Sequence, residues 1–454
     1  MTTALGTGSP LVTDLYEVTM ALAYVREGVV APATFSLITR DLPAERGFLV
    51  AAGLADVLDH LERFHIGDDD LAAFAVALHR PLSDLAPLAG MRFTGDVWAV
   101  PEGRVVLGGE PLLELTAPMP QAQLLETWVL NQISHQTTLA SKAARSVLAA
   151  RGRPVVDFSL RRTHGSEAGL HAARAGAIAG FAATSNVAAA AIYGLTASGT
   201  MAHSFVEAFA DETAAFRAFA RSTAGPVTLL VDTYDTERGV ERAVEVLRTV
   251  PPDRDIGVRL DSGDLAELAV RSRRILDDAG LYRARIVVSG GLDEYGVEAL
   301  LEAGAPVDVV AVGTKVGTAA DAPYLDAAYK LVEYGGRPVM KLSAGKATLP
   351  GAKQVFRRAG CDDVLGLRDE EPPPGSVALL QPVMRAGRRL GPRLSPAEAV
   401  AQARERFRTD VDGLPAGMRA VRGPVTRRPA VSTRLEELAT RVRCGLERSV
   451  AAGA

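Results

Sequence analysis

The sequence predicts an α/β protein centred on an irregular parallel (β/α) barrel, with an accessory α/β domain formed by its N- and C-terminal flanks. Three observations carry this. Between Arg153 and about Thr318, short runs of small or β-branched apolar residues alternate with segments of helical periodicity. Each run ends in a polar loop, whereas the flanks on either side lack that alternation. At 454 residues, the chain also exceeds what one core ordinarily serves.

The strand-like runs are 154–157, 178–183, 195–198, 227–232, 256–260, 285–289 and 307–312. The first and the last four are rich in Val, Ile and Leu; the second and third are Ala- and Gly-rich and give a weaker signal. Two intervening helices follow from spacing. Val240, Ala243, Val244 and Leu247 share one face. Leu265, Leu268, Ile275 and Leu276 share another, after Asp261-Ser262 as a plausible N-cap and with Gly280 beyond the end. Near-continuous apolar strands alternating with amphipathic helices imply parallel strands joined by right-handed crossovers.

In the flanks, 34–38, 97–100 and 111–116 read as strands and 50–64 and 121–150 as helices. After Tyr329 come Lys/Arg-rich strand-like segments, a turn at Glu371-Pro-Pro-Pro-Gly375 and a charged helix at 432–448. The expected division is 1–130 for an N-terminal α/β domain, 131–328 for the barrel and 329–454 for a segment completing the accessory domain.

Composition narrows the function classes. A net charge of −4 disfavours non-specific binding to nucleic acid or membrane surfaces, which needs a basic excess. Cys361 and Cys444 stand far apart, which excludes a CxxC zinc site and a disulfide framework. Met1 to Pro10 has neither a basic nor an apolar leader pattern, and no apolar run is long enough to span a bilayer. A cytoplasmic location is expected.

In a parallel barrel the C-terminal strand ends form the active-site face. Seven polar loops fall there in order: Asp157-Phe-Ser-Leu-Arg-Arg162, Ala183-Thr-Ser-Asn186, Gly199-Thr-Met-Ala-His-Ser204, Asp232-Thr-Tyr-Asp235, Arg259-Leu-Asp-Ser-Gly-Asp264, Ser289-Gly-Gly291 and Val312-Gly-Thr-Lys315. The last two suit a phosphate, because glycine lets backbone N–H groups approach it closely. Arg161, Arg162 and Arg259 are forked donors for carboxylate or diphosphate. Asp261 and Asp264 suit ribose hydroxyls or the Mg²⁺ that accompanies a diphosphate. His203, one of seven histidines, can carry a proton or act as a nucleophile. Each residue also has a plainer reading: a helix cap for Asp261 or Ser262, a turn for Ser289-Gly-Gly291, a structural histidine, a solvated arginine pair, and core or interface packing for Tyr16. Co-location is what favours chemistry.

With these loops in place, the chain resembles the nicotinate phosphoribosyltransferases, of the type II phosphoribosyltransferase group. The likeness begins at Leu11-Val-Thr-Asp-Leu-Tyr-Glu-Val-Thr-Met20 and includes Arg40, Pro101-Glu-Gly103, the loops from Asp157, Gly199 and Arg259, and Leu230-Val-Asp-Thr-Tyr-Asp-Thr236. It continues through Tyr329-Lys-Leu-Val332, Lys341-Leu-Ser-Ala-Gly-Lys346 and Pro350-Gly-Ala-Lys353, and ends near Arg357.

The resemblance implies that nicotinate and phosphoribosyl diphosphate give nicotinate mononucleotide and diphosphate, with ATP as co-substrate, Mg²⁺ accompanying the phosphates, and a homodimer sharing its active sites. It also implies roles. His203 is the histidine phosphorylated by ATP. Phe158 stacks on the pyridine ring, with Tyr16 supplied by the neighbouring subunit. Arg161 meets the carboxylate of the base, and Arg259, Arg40 and Lys346 serve the diphosphates. Asp261 holds the ribose hydroxyls. Ser289, Gly290, Gly291, Gly313 and Thr314 cradle the 5′-phosphate.

Ser185 bears on the choice of base. Related nicotinamide-using enzymes carry Asp there, which accepts a hydrogen bond from an amide but repels a carboxylate. At ~4 Å in a partly desolvated site that repulsion amounts to a few kcal/mol. Ser185 therefore favours nicotinate. Two departures from the family pattern, Ser159 in place of the usual Gly and His164, lie close to the expected base pocket. The rival readings are nicotinamide or quinolinate phosphoribosyl transfer, with Arg162 or His164 for a second carboxylate; a Schiff-base barrel lyase using Lys315; and a non-catalytic metabolite sensor.

Overall fold

The computed structural model describes residues 8–343 and 348–452. Its centre is a curled parallel sheet of six strands, in the order Ala183–Thr184, Val155–Asp157, Val309–Val312, Arg285–Val288, Ile256–Leu260, Val227–Leu230. Every neighbouring pair is parallel. Ile256–Leu260 is buried at all its positions, as a strand covered on both faces requires. Among the described residues no ladder joins the two edge strands, so the hydrogen-bonded sheet is a half-barrel.

The five Val/Ile/Leu-rich runs all form strands of this sheet. The two Ala/Gly-rich runs differ from expectation. Ile178 ends the helix Ser166–Ile178, leaving only Ala183–Thr184 as strand, and the 195–198 run contributes one parallel bridge, Ala197 to Thr184. Alanine favours helix and offers little cross-strand surface, so these segments give way. Val240, Ala243, Val244 and Leu247 are all buried on the helix Thr236–Leu247, as their spacing predicts.

Seven antiparallel strands make a second sheet, in the order Arg337–Pro338, Ala327–Tyr334, Pro32–Thr39, Pro111–Pro118, Asp96–Ala99, Gln381–Arg385, Arg388–Arg389. Strands from both flanks thus share one sheet. The helix Glu126–Ala149 connects the two cores: Trp128, Val129 and Ile133 pack with the flank residues, whereas Leu139, Ala140, Ala143 and Ala144 pack with the parallel sheet. Among the described residues no helix is long and apolar enough to cross a membrane.

Because the six central strands run parallel, their C-terminal ends and the loops that follow lie along one edge of the sheet. One local expectation is corrected there. The helix Leu265–Asp278 is capped by Asp264, whose carboxylate accepts from the N–H groups of Ala266 and Glu267, and not by Asp261 or Ser262. That frees Asp261 for other partners.

Candidate active site

Arg259 organises this edge. Its side chain is largely buried, and its guanidinium donates in four directions. Nε reaches Ser289 Oγ at 2.7 Å, Nη1 reaches Thr200 Oγ1 at 3.1 Å and the Met201 carbonyl at 3.3 Å, and Nη2 reaches Asp261 Oδ1 at 2.6 Å. Its carbon lies 5.2 Å from the centre of the Phe158 ring. One side chain therefore ties together four of the seven predicted loops.

Asp261 receives a second hydrogen bond, from the Ser289 hydroxyl. Burial alone would raise its pKa, but the Ser289 hydroxyl and the Arg259 guanidinium hold the carboxyl below the usual carboxylate range. His203 Nε2 stands 4.0 Å from Asp261 Oδ2, and its Nδ1 is 3.1 Å from the Thr233 hydroxyl. Asp232 supports the loop from beneath: its Oδ2 accepts from Asp261 N at 2.9 Å and Ser262 Oγ at 2.7 Å. Its Oδ1 is buried without a partner among the described residues.

Phe158 and Ser185 are fixed by Asp157. The Asp157 carboxylate accepts from Ser159 N at 2.9 Å and Thr184 Oγ1 at 2.7 Å, while its carbonyl accepts from Ser185 N at 2.8 Å. The glycine loops close in on the same cluster. Gly290 has φ +92°, and a Cβ there would stand 1.7 Å from the Asp261 carbonyl oxygen, so the position admits only glycine. A Cβ at Gly313 would stand 3.1 Å from the Phe158 carbonyl oxygen. Gly291 and Thr314 lie next to these two glycines in sequence.

Of the predicted residues, Arg259, Asp261, Ser289, His203, Phe158, Ser185, Gly290 and Gly313 are thus linked through contacts along this edge. Arg161 and Arg162 are exposed in the short turn Leu160–Arg162, and His164 is exposed just after it. Ser159 is fully buried; a Cβ at Gly317 would meet its Cβ at 2.5 Å, so the two sites trade volume. Lys315 is 2.8 Å from Asp293 Oδ2. An ammonium held by a carboxylate is a poor amine nucleophile, and the Schiff-base reading finds no support.

Tyr16 and Arg40 line two other cavities. Tyr16 borders one of about 370 Å³ with Glu126, Asn131, His135 and Tyr324. Burial, with Glu126 and Glu17 nearby, raises its phenol pKa. Arg40 borders one of about 320 Å³ with Lys330, Lys353 and Arg428, and pairs with Asp326 at 2.5 Å. Lys346 lies outside the described residues.

Sequence reasoning singled out no role for Asp232, Thr200 or Thr233. Their signal was present, since all three occupy strand-end loops. Lys330 and Lys353 stood in quoted motifs without a role, and Arg428 carried no local signal.

Residues 11–134 match the nicotinate phosphoribosyltransferase N-terminal domain, and residues 154–344 match the nicotinate phosphoribosyltransferase family. A nicotinate phosphoribosyltransferase of Mycobacterium tuberculosis is 50% identical over 417 residues, covering 90% of this chain and 89% of that protein. One from Bacillus subtilis is 42% identical over 354 residues, covering 76% and 72%. The crystal structure of human nicotinic acid phosphoribosyltransferase superposes with a TM-score of 0.83 at 29% identity, covering 95% of this chain and 99% of that one.

Proposed function

The chain belongs to the nicotinate phosphoribosyltransferase family, and from that premise we propose that the cluster around Arg259 transfers a phosphoribosyl group to nicotinate. Nicotinate and phosphoribosyl diphosphate give nicotinate mononucleotide and diphosphate, with coupled ATP hydrolysis, in NAD biosynthesis. The observation that carries the reading is the Arg259 hub, which joins Phe158, Asp261 and Ser289 through one guanidinium.

Departure of diphosphate leaves an oxocarbenium-like ribose, so catalysis consists mainly of positioning and charge stabilisation. Asp261, kept ionised by Arg259 and Ser289, suits the ribose hydroxyls and the developing positive charge. Arg259 offers positive charge to the departing diphosphate. The amides of Ser289, Gly290, Gly291, Gly313 and Thr314 receive the 5′-phosphate, and Phe158 stacks on the base, whose carboxylate meets Arg161. His203 takes the γ-phosphoryl of ATP on a ring nitrogen, releasing ADP, and water later removes it.

Mg²⁺ typically keeps several waters and takes one or two protein carboxylates besides substrate phosphates. An ion arriving with the diphosphate would need only one or two carboxylates from this site. Asp232, with Oδ1 unpartnered, and Asp261 would hold it. There it would neutralise the charge of the leaving group.

We read the protein as a homodimer in which Tyr16 completes the site of the neighbouring subunit, with Arg40 and Lys346 serving the diphosphates. The cations beside Arg40, namely Lys330, Lys353 and Arg428, support an anion-binding role for that surface. We read residues 131–328 as an irregular barrel, 1–130 and 329–454 as its accessory domain, and the protein as cytoplasmic.

The test is nicotinate mononucleotide formation by Arg259→Met. A fall in kcat/KM of about 100-fold or more is expected when a preorganised charge donor is lost. Turnover like that of the unaltered protein would remove the hub from the active site.

A further inference from the structure

The two glycine loops assigned to the 5′-phosphate leave neighbouring strands whose ladder is short. Arg285–Val288 and Val309–Val312 pair only at Val287 with Val309 and Val288 with Val310. Hydrogen bonding between these strands therefore ends before Gly290 and Gly291 on one side and Gly313 and Thr314 on the other.

Ion pairs cross the gap instead. Lys315, immediately after Thr314, places Nζ 2.8 Å from Asp293 Oδ2, two residues beyond Gly291. Asp293 serves a second purpose: its Oδ1 accepts from Gly296 N at 2.9 Å and caps the helix Glu294–Glu302. Behind this pair lies a buried one. Lys142 Nζ is 2.6 Å from Glu294 Oε2 and 2.8 Å from Asp321 Oδ1, so it joins the segments that follow the two loops. Glu294 also holds Arg145 at 2.7 Å, and Asp321 holds Arg46 at 2.6 Å. Lys142 and Glu294 are both almost wholly excluded from solvent.

We infer that Lys315 and Asp293 are positioning residues that set the spacing of the two phosphate-binding loops, with Lys142 as the inner tie between the same segments. The inference rests on assigning those loops to the 5′-phosphate. A half-exposed pair adds little stability, so the consequence is geometric. Small displacements of groups that hold a reactant cost binding and rate.

A brace and a direct phosphate ligand make opposite demands on Asp293. If Lys315 acts through the brace, removing either partner has the same effect and removing both adds nothing. If Lys315 itself binds phosphate, neutralising Asp293 releases the ammonium and tightens binding or leaves it unchanged.

The experiment compares Lys315→Met, Asp293→Asn and the double variant. Asn retains an oxygen for the helix cap. KM for phosphoribosyl diphosphate, KM for nicotinate, kcat and inhibition by ribose 5-phosphate are measured at matched folded fraction. Each single variant is expected to raise KM for phosphoribosyl diphosphate and Ki for ribose 5-phosphate about fivefold, the double no further, and KM for nicotinate not at all. Additive losses, an effect confined to Lys315→Met, equal changes in both KM values, or no change would each overturn the brace. Thr314→Pro, which removes the backbone N–H at the first position of the helix Thr314–Gly317, separates this from the loop assignment. If it leaves Ki for ribose 5-phosphate unchanged, the cradle assignment fails; if it raises Ki while the Lys315 and Asp293 variants do not, only the brace fails.

Discussion

Arg259 sits over the Phe158 ring, its guanidinium carbon 5.2 Å from the ring centre, while the same group grips Asp261 at 2.6 Å. One face of Phe158 is thereby taken by a cation, and the proposed reading stacks the base on the other.

The first prediction follows from that pairing. Phe158→Leu keeps the apolar volume but loses the stack, and is expected to raise KM for nicotinate up to about tenfold, with kcat less affected. Arg259→Lys keeps the charge but cannot reach Ser289, Thr200 and Asp261 at once, so kcat/KM should fall by about 100-fold. Equal behaviour of Lys and Arg at this position would mean that the fork does not matter.

On the proposed reading base choice turns on Ser185, which is held to the Asp157 carbonyl through its own backbone N–H, leaving the side chain open to substitution. Ser185→Asp should shift preference towards nicotinamide by about tenfold or more, through repulsion of the nicotinate carboxylate. Competition between the two bases for limiting phosphoribosyl diphosphate measures it. Unchanged selectivity would sink the assignment.

His203→Ala should abolish the stimulation by ATP while leaving slow, ATP-independent mononucleotide formation. Labelling with γ-³²P ATP should give an acid-labile, alkali-stable phosphoprotein that the variant lacks. Full ATP stimulation in the variant would contradict a phosphohistidine at this position.

Stability should depend on pH through His60. Burial, with a smaller contribution from Arg63, pushes this histidine down from 6.5 to about 4, and its ring stacks on Trp128 at 4.4 Å. The unfolded chain takes up the proton first as pH falls, so this contribution is complete above about 6.5 and is lost towards about 4. Between about pH 7.5 and about pH 5 the loss amounts to at most about 2 kcal/mol. Urea midpoints should drop over that interval, and His60→Phe should narrow the drop. An equal drop in both proteins would assign the effect to other groups, His135 among them, which burial and the neighbouring His171 and His164 also hold at about 4.

Much of this was legible in the chain itself. Runs such as Ile256–Leu260 declare a doubly covered strand by composition, and the polar residues after them fall on one edge because parallel strands leave no alternative. The Ala-rich run at 178–183 misled because its first residue, Ile178, closes a helix and strand begins only at Ala183. Asp264 rather than Asp261 became the cap, and spacing alone could not choose between acids three residues apart. Pairing of Pro32–Thr39 with Ala327–Tyr334 joins segments nearly 300 residues apart, which no local pattern encodes. Likewise, nothing local revealed that Tyr16 and Arg40 line cavities of their own.

The most direct measurement supplies nicotinate, nicotinamide and quinolinate in turn, each with phosphoribosyl diphosphate and Mg²⁺, with and without ATP, and quantifies mononucleotide. Product from nicotinate in clear preference to the other two, accelerated by ATP, is the predicted result. Product from nicotinamide or quinolinate at a comparable rate, or none from nicotinate, would contradict it.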